Sequence, residues 1–328
     1  MSSTALLTPA FFARYRAVPQ RPWWDLFAAA ARAHMALVGF KVDVENAERI
    51  PRRPALLCTN STHPCDFLAL MKGLDQLGQR VVTISKAKNF HHPAMAWVMK
   101  RAGVVPLASR GYFLLADFLE LHGRRPSDVE YRALRDHLDT GAPVGAAVDD
   151  AGALAAVLRT PRAIAGHAFN PSAATWRDTV QLVNERAVHE TLRLAREAVA
   201  AGFHVQIYPE GTVSPTLGTG RSGAVQLAHA LGIDVVPVGM SGAPDAFLGR
   251  SPVPRRGRVI LRVGATVDAR LPRAHRAFSP ADERAHALSL AGATARVMAA
   301  LSGLVDARYR RATDAGAAPA GKGTRAHL

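Results

Sequence analysis

Cysteine is almost missing from this chain, which has only Cys58 and Cys65 in 328 residues. The pair has no partners at zinc-ligand spacing, so no metal centre is expected, and reduced cytosolic thiols fit best. Aromatic residues are scarce at 6% and do not interleave with the basic pairs, so the stacking platform of a nucleic-acid groove is missing. No window holds 18 apolar residues, so nothing is expected to span a bilayer. Met1 to Arg14 lacks the basic start and apolar run of a secretory signal. Acidic residues are also short, 26 Asp and Glu against 41 Lys and Arg, for a net charge of +15. Such a field favours anionic partners: nucleic acid, an acidic membrane surface, or phosphorylated and acidic substrates. The basic residues are mostly Arg, spread in pairs such as Arg52-Arg53, Arg124-Arg125, Arg255-Arg256 and Arg310-Arg311.

What is there is ordinary for a globular protein, 48% hydrophobic and 20% charged, and long enough for one large core or two small ones. Residues 1–20 read as irregular. Arg21 to Phe40 reads as a helix with Trp23, Phe27, Ala30 and Leu37 on one face and Arg21, Asp25 and Arg32 opposite. Its adjacent tryptophans beside basic residues suit either a membrane interface or packing on the parent domain. Strands are expected at Phe40–Val44, Ala55–Thr59, Val81–Ser85, Val104–Leu107, Phe203–Tyr208, Asp234–Met240 and Val259–Val263. Helices are expected from Asn60–Phe67 through Lys72, and at Ala94–Arg101, Val129–Leu138, Val183–Ala201, Gly223–Leu231 and Pro280–Leu304. The alternation predicts an α/β fold: a mixed, largely parallel sheet flanked by helices, with an N-terminal amphipathic helix and an inserted segment. The expected divisions are an N-terminal segment 1–40, a domain 41–312 carrying an insertion at 112–182, and a disordered Ala- and Gly-rich tail 313–328.

Phe203-His-Val-Gln-Ile-Tyr-Pro-Glu-Gly-Thr212 organises the rest. A buried strand runs into a turn in which Pro209 fixes φ and Gly211 permits a sharp reversal, setting Glu210 at the carboxyl edge of the sheet. There a carboxylate can bind hydroxyls or a cation, or simply face water. In Asn60-Ser-Thr-His-Pro-Cys-Asp66, Pro64 suits the first helical position, with His63 as N-cap and Asp66 three residues on. His63 and Asp66 at that spacing can touch; equally, His63 can cap the helix while Asp66 satisfies its free amides. His91-His92 reads as a loop and Asp149-Asp150 as a strand-end turn. Ser61, Ser109 and Ser172 lack the Gly-x-Ser-x-Gly elbow of a serine hydrolase.

Four segments in register resemble the glycerophosphate acyltransferase-like (lysophospholipid acyltransferase) family. Asn60 to Asp66 is similar to its Asn-His-x4-Asp block, and Gly103 to Arg110, after Lys86 to Phe90, to its Gly-to-Arg block. Tyr208-Pro-Glu-Gly-Thr212 matches Phe-Pro-Glu-Gly-Thr, and Val235-Val-Pro-Val238 follows Arg221-Ser-Gly-Ala224, where the family has Lys-x-Gly-Ala. The resemblance implies a base, oriented by the Asp, that activates an acceptor hydroxyl for attack on the thioester of acyl-CoA or acyl-carrier protein, without cofactor or metal. It implies His63 and Asp66 as catalytic. It also implies Asn60, Ser61, Arg110, Glu210, Gly211, Thr212 and Arg221 as substrate-binding, with Arg110 and Glu210 on the acceptor. Implied partners are the acyl donor, a lysolipid acceptor and an anionic membrane surface, with no nucleic acid, and the implied place is the cytoplasmic face of the cell membrane. Two departures stand out. Ser61 occupies the family's His position and His63 a usual Ser position, as if exchanged; Val213 stands where an Arg often helps hold phosphate. The rival reading is a non-catalytic descendant that binds lipid or a partner.

Overall fold

Short apolar runs bounded by turn residues become strands, and runs with helical spacing cover them. The computed structural model describes residues 7–18, 21–90, 93–144 and 151–310. Its strands are β1 (Phe40–Glu45), β2 (Leu56–Thr59), β3 (Val81–Lys86), β4 (Val105–Leu107), β5 (Arg162–Ile164), β6 (His167–Phe169), β7 (His204–Ile207), β8 (Val235–Ser241) and β9 (Gly257–Val263). The chain divides into two compact units, a larger one of residues 18–84, 101–103 and 195 onward, and a smaller one of residues up to 17, 85–100 and 104–194.

Six of the seven strands of the main sheet run through the larger unit in the order β1-β9-β8-β2-β7-β3. β2 pairs in parallel with β7 and with β8 (Leu56 opposite Val205 and Val235), and β7 with β3, while β8 and β9 are antiparallel. The sheet is therefore mixed and mostly parallel, as the alternation of elements predicts. β2, β7 and β8 are buried along their whole length, the mark of strands covered on both faces. A polar ladder crosses this core: Gln206 Nε2 donates to Thr59 Oγ1 at 2.8 Å and Thr83 Oγ1 donates to Gln206 Oε1 at 2.6 Å. With both partners satisfied, these groups fix the register of three strands.

Helix Asp66–Gln76 lies on the sheet so closely that a Cβ on Gly73 would meet Leu261 Cδ1 at 2.5 Å. Helix Ala287–Leu304 is long and apolar enough to cross a membrane by length and composition. Its Leu290, Ala293, Val297 and Leu301 are buried, and its last turn presses on β8, where a Cβ at Gly239 would fall 2.6 Å from the Leu304 backbone. The single helix expected over 280–304 is broken. Ser279 caps Pro280–Ala285, and the chain restarts at Ala287 after His286, whose N–H closes on Asp282 O. Helix Arg21–Leu37 forms as expected; Leu26 (61%) and Leu37 (86%) are exposed and Met35 is buried, while the side chains of Trp23 and Phe27 lie outside those described.

The smaller unit contains the described residues of segment 112–182. Helices Arg110–His122, Asp128–Thr140 and Ala151–Arg159 and the antiparallel pair β5–β6 fill it. Its polar anchor is Asp117, buried, which accepts from Arg162 Nε at 2.7 Å and from Trp176 Nε1 at 2.8 Å. The Arg124–Glu130 pair adds to a capping box on Ser127, and the guanidinium pulls Glu130 down to about 2. The chain before Arg21, read as irregular, forms a short helix at Pro9–Arg14. Asp149-Asp150, His91-His92 and the tail 313–328 fall outside the described residues.

Candidate functional site

β2 and β7 are neighbours and parallel, so the loops leaving their carboxyl ends, Asn60–Cys65 and Tyr208–Gly218, start side by side. Backbone bonds stitch them together: Gly211 N–H closes the turn on Tyr208 O, and Ser214 N–H donates to Ser61 O at 2.9 Å. Gly211 has φ of +63°, a conformation that a residue with a side chain adopts at a cost.

Glu210 is buried and acts as the rivet between the loops. Its Oε1 accepts from Ser61 N–H at 3.1 Å and its Oε2 from Gly218 N–H at 2.7 Å. Burial raises its pKa and the two amide bonds pull it back. Both carboxylate oxygens thus accept from the backbone, one amide each. Asn60 is likewise internal: its Nδ2 donates to Met240 O and its Oδ1 accepts from Met240 N–H. Thr212 and Arg221 are exposed, and Arg221 N–H donates to Pro209 O. Arg110, in the smaller unit, starts its helix after the Ser109 cap and pairs with Asp139 at 3.0 Å.

Asp66 is the most unusual group here. It has no solvent exposure, and Oδ2 accepts from Thr62 N–H at 2.7 Å and His63 N–H at 2.9 Å. Oδ1 has no hydrogen-bond partner, although the Ser61 hydroxyl is near enough to lower the carboxyl's pKa. Burial dominates, and the Glu210 charge adds to it, so Asp66 is raised to about 7. The Thr62 and Tyr208 hydroxyl oxygens are also buried with no partner at hydrogen-bond geometry; burial and the Asp66 charge raise the Tyr208 pKa, although the Gln206 side chain is near enough to lower it. A buried carboxyl with a raised pKa beside these hydroxyls makes the junction of the two loops the candidate functional site.

His63 is placed differently from the expected dyad. Its Nδ1 accepts from Cys65 N–H at 3.1 Å, which puts the ring proton on Nε2, and that nitrogen donates to Gly249 O at 2.6 Å. The ring stacks on Phe247, centroids 4.8 Å apart and planes 5° from parallel. Burial lowers its pKa, favouring the neutral ring, against the Gly249 carbonyl, which raises it. Neither nitrogen meets Asp66, and neither has a lone pair free for a substrate proton. The reason is local. By turning back onto the amides of residues 62 and 63, Asp66 starts the helix itself with Cys65 as N-cap, so Pro64 is not the first helical residue. Nothing in the sequence reading singled out Phe247 or Gly249. They sit on a tight loop closed by Leu248 N–H to Val253 O, with Gly249 at φ +56°. The Gly- and Pro-rich run Ser241 to Pro254 was the available signal for a turn there.

Cys65 and Cys58 are buried with thiols pushed up to about 12, so neither is a nucleophile. Among the described residues, no group of three or more His, Cys, Asp or Glu is disposed to hold a metal ion.

Compared with known proteins, residues 41–146 match the family model described as Acyltransferase. No curated protein matches the chain. Among solved structures, it is similar to PlsC, the 1-acyl-sn-glycerophosphate (LPA) acyltransferase of Thermotoga maritima, with 17% identity and a TM-score of 0.40 over 84% of this chain and 80% of that one. At that distance the likeness carries no weight for this chain.

Proposed function

We propose, from the match of residues 41–146 to the family model described as Acyltransferase, that the protein moves a fatty acyl group from a thioester to a hydroxyl of a lysophospholipid or related glycerolipid. The four-motif resemblance and the family match agree at the level of acyltransferase. The observation that carries the reading is the family match over residues 41–146, and within that segment the buried Asp66, raised to about 7 by burial, is the group suited to act as base. A general base works best with a pKa near the working pH. Asp66 is assigned that role, taking the acceptor's proton as the hydroxyl oxygen attacks the thioester carbonyl and the thiolate leaves. Since Asp66 has no solvent exposure in this arrangement, the acceptor displaces part of the turn or the loop seated on His63. His63 is assigned a positioning role, tying that loop to the turn. The donor is acyl-CoA or acyl-carrier protein. The protein works at the cytoplasmic membrane face, a reading supported by the +15 charge and by exposed Leu26, Leu37, Leu248 and Val253.

One observation favours a second reading. Both His63 nitrogens are occupied and Asp66 is closed off, as in a descendant that keeps the fold only to bind. Thiol release from long-chain acyl thioesters with lysolipid acceptors separates the two. The acyltransferase reading predicts release that depends on the acceptor, lowered but not abolished in His63→Ala. If His63→Ala folds yet releases nothing, the base is His63 and the assignment to Asp66 fails.

A further inference from the structure

A cavity of about 510 Å³ opens within the smaller unit, lined by none of the residues assigned above. That volume falls within the roughly 300–1,000 Å³ typical of small-molecule sites. Its wall is apolar (Leu7, Phe12, Ala165 and Val183), and three guanidiniums, Arg16, Arg186 and Arg193, border it against one carboxylate, Glu190. Glu190 is already bound to Arg193, at 2.8 Å. Arg186 donates to His167 Nδ1 at 3.0 Å and Arg16 to the Ala13 and Tyr15 carbonyls, so among the described residues neither is paired with a carboxylate. A second feature points to the same place. β5 and β6 are joined by Ala165-Gly166, both with positive φ (48° and 80°). Such a two-residue turn calls for Asn, Asp or Gly at its first position, and Ala there is strained by about 1 kcal/mol or more. Ala165 is nonetheless used, and it is buried as part of the cavity wall.

We propose that this cavity is a second ligand site, for a single amphiphile with an anionic head held by Arg16 and Arg186 and an aliphatic chain on the apolar wall. The inference stands on the smaller unit alone and does not depend on acyl transfer in the larger one. The complementarity is of two kinds. Paired guanidiniums match phosphate or carboxylate oxygens, and the apolar wall gains from excluding water.

The test is isothermal titration of the full-length protein with decyl phosphate below its micelle concentration, beside decanoate, decanol and inorganic phosphate. Saturable binding of one decyl phosphate is expected, with decanol and inorganic phosphate at least tenfold weaker. A preference for phosphate or carboxylate heads reads directly from the two anionic arms. Arg186→Glu, at an exposed position, is expected to weaken decyl phosphate at least tenfold and leave acyl transfer unchanged, and Val183→Trp to fill the space. Absence of binding overturns the proposal. So does binding that survives Arg186→Glu, which would place the amphiphile elsewhere, and so does binding only of anionic vesicles, which would make the arginines a membrane contact.

Discussion

A carboxyl group raised from 3.8 to about 7 burdens the folded state at neutral pH by up to roughly 4 kcal/mol. Asp66 holds its proton more tightly folded than unfolded. Its contribution to stability is therefore fullest below the ordinary carboxylate pKa and is lost as pH rises towards 7. His204 has the opposite slope. Its ring is buried between Ala55 N–H and Gln79, and burial lowers its pKa to about 4. The stability of its neutral form is present above the unfolded value near 6.5 and lost as pH falls through 4. Between those values the two residues offset each other in the wild type. Asp66→Asn removes one slope: the variant should melt higher than wild type at pH 8, by roughly 1–3 kcal/mol of stability, and lose more on acidification from pH 6.5 to 4.5. Thermal melts across pH decide it, and a variant less stable at pH 8 contradicts the burial argument.

Glu210 shows at the scale of elements how a recognisable motif can do an unexpected job. Pro-Glu-Gly-Thr was legible because Pro and Gly fix a turn and an apolar run before them fixes a strand. That the carboxylate faces two amides was not, since Ser61 lies 149 positions away. Glu210→Gln cannot accept from both amides, so it should lose about 1.5–3 kcal/mol. The Ser61 and Gly218 amides should then exchange with solvent faster, as hydrogen exchange would show; unchanged protection would remove the rivet. The His63–Gly249 bond spans 186 positions and left the same blind spot, because i,i+3 spacing spoke only for Asp66. The smaller unit was hardest to read. Its anchor joins Asp117 to Arg162 and Trp176, three residues unremarkable on their own in the sequence. Asp117→Ala leaves Arg162 buried without its counter-charge and should cost about 3–5 kcal/mol in urea unfolding; a loss under 1 kcal/mol would show the pair to be dispensable.

For the whole molecule, the strand–helix alternation and the burial of β2, β7 and β8 carried the fold from sequence to structure almost unchanged. The long-range charge was legible as well. An excess of +15 should draw the protein to vesicles of anionic lipid and leave neutral vesicles unbound. Binding should weaken steeply with added salt, since exposed charges are screened within about 10 Å at 0.1 M. Sedimentation with vesicles at low and high salt checks this, and salt-independent binding would shift the attachment to the apolar side chains Leu26, Leu37, Leu248 and Val253.

The central proposal is acyl transfer with Asp66 as the proton acceptor. The most direct test follows thiol release from acyl-CoA and acyl-carrier protein over a panel of lysolipids, with wild type and Asp66→Asn side by side. The account predicts acceptor-dependent release by the wild type and a loss of a hundredfold or more in a folded Asp66→Asn protein, the scale of a general base. Release that survives the substitution, or none from the wild type with any donor and acceptor, would contradict it.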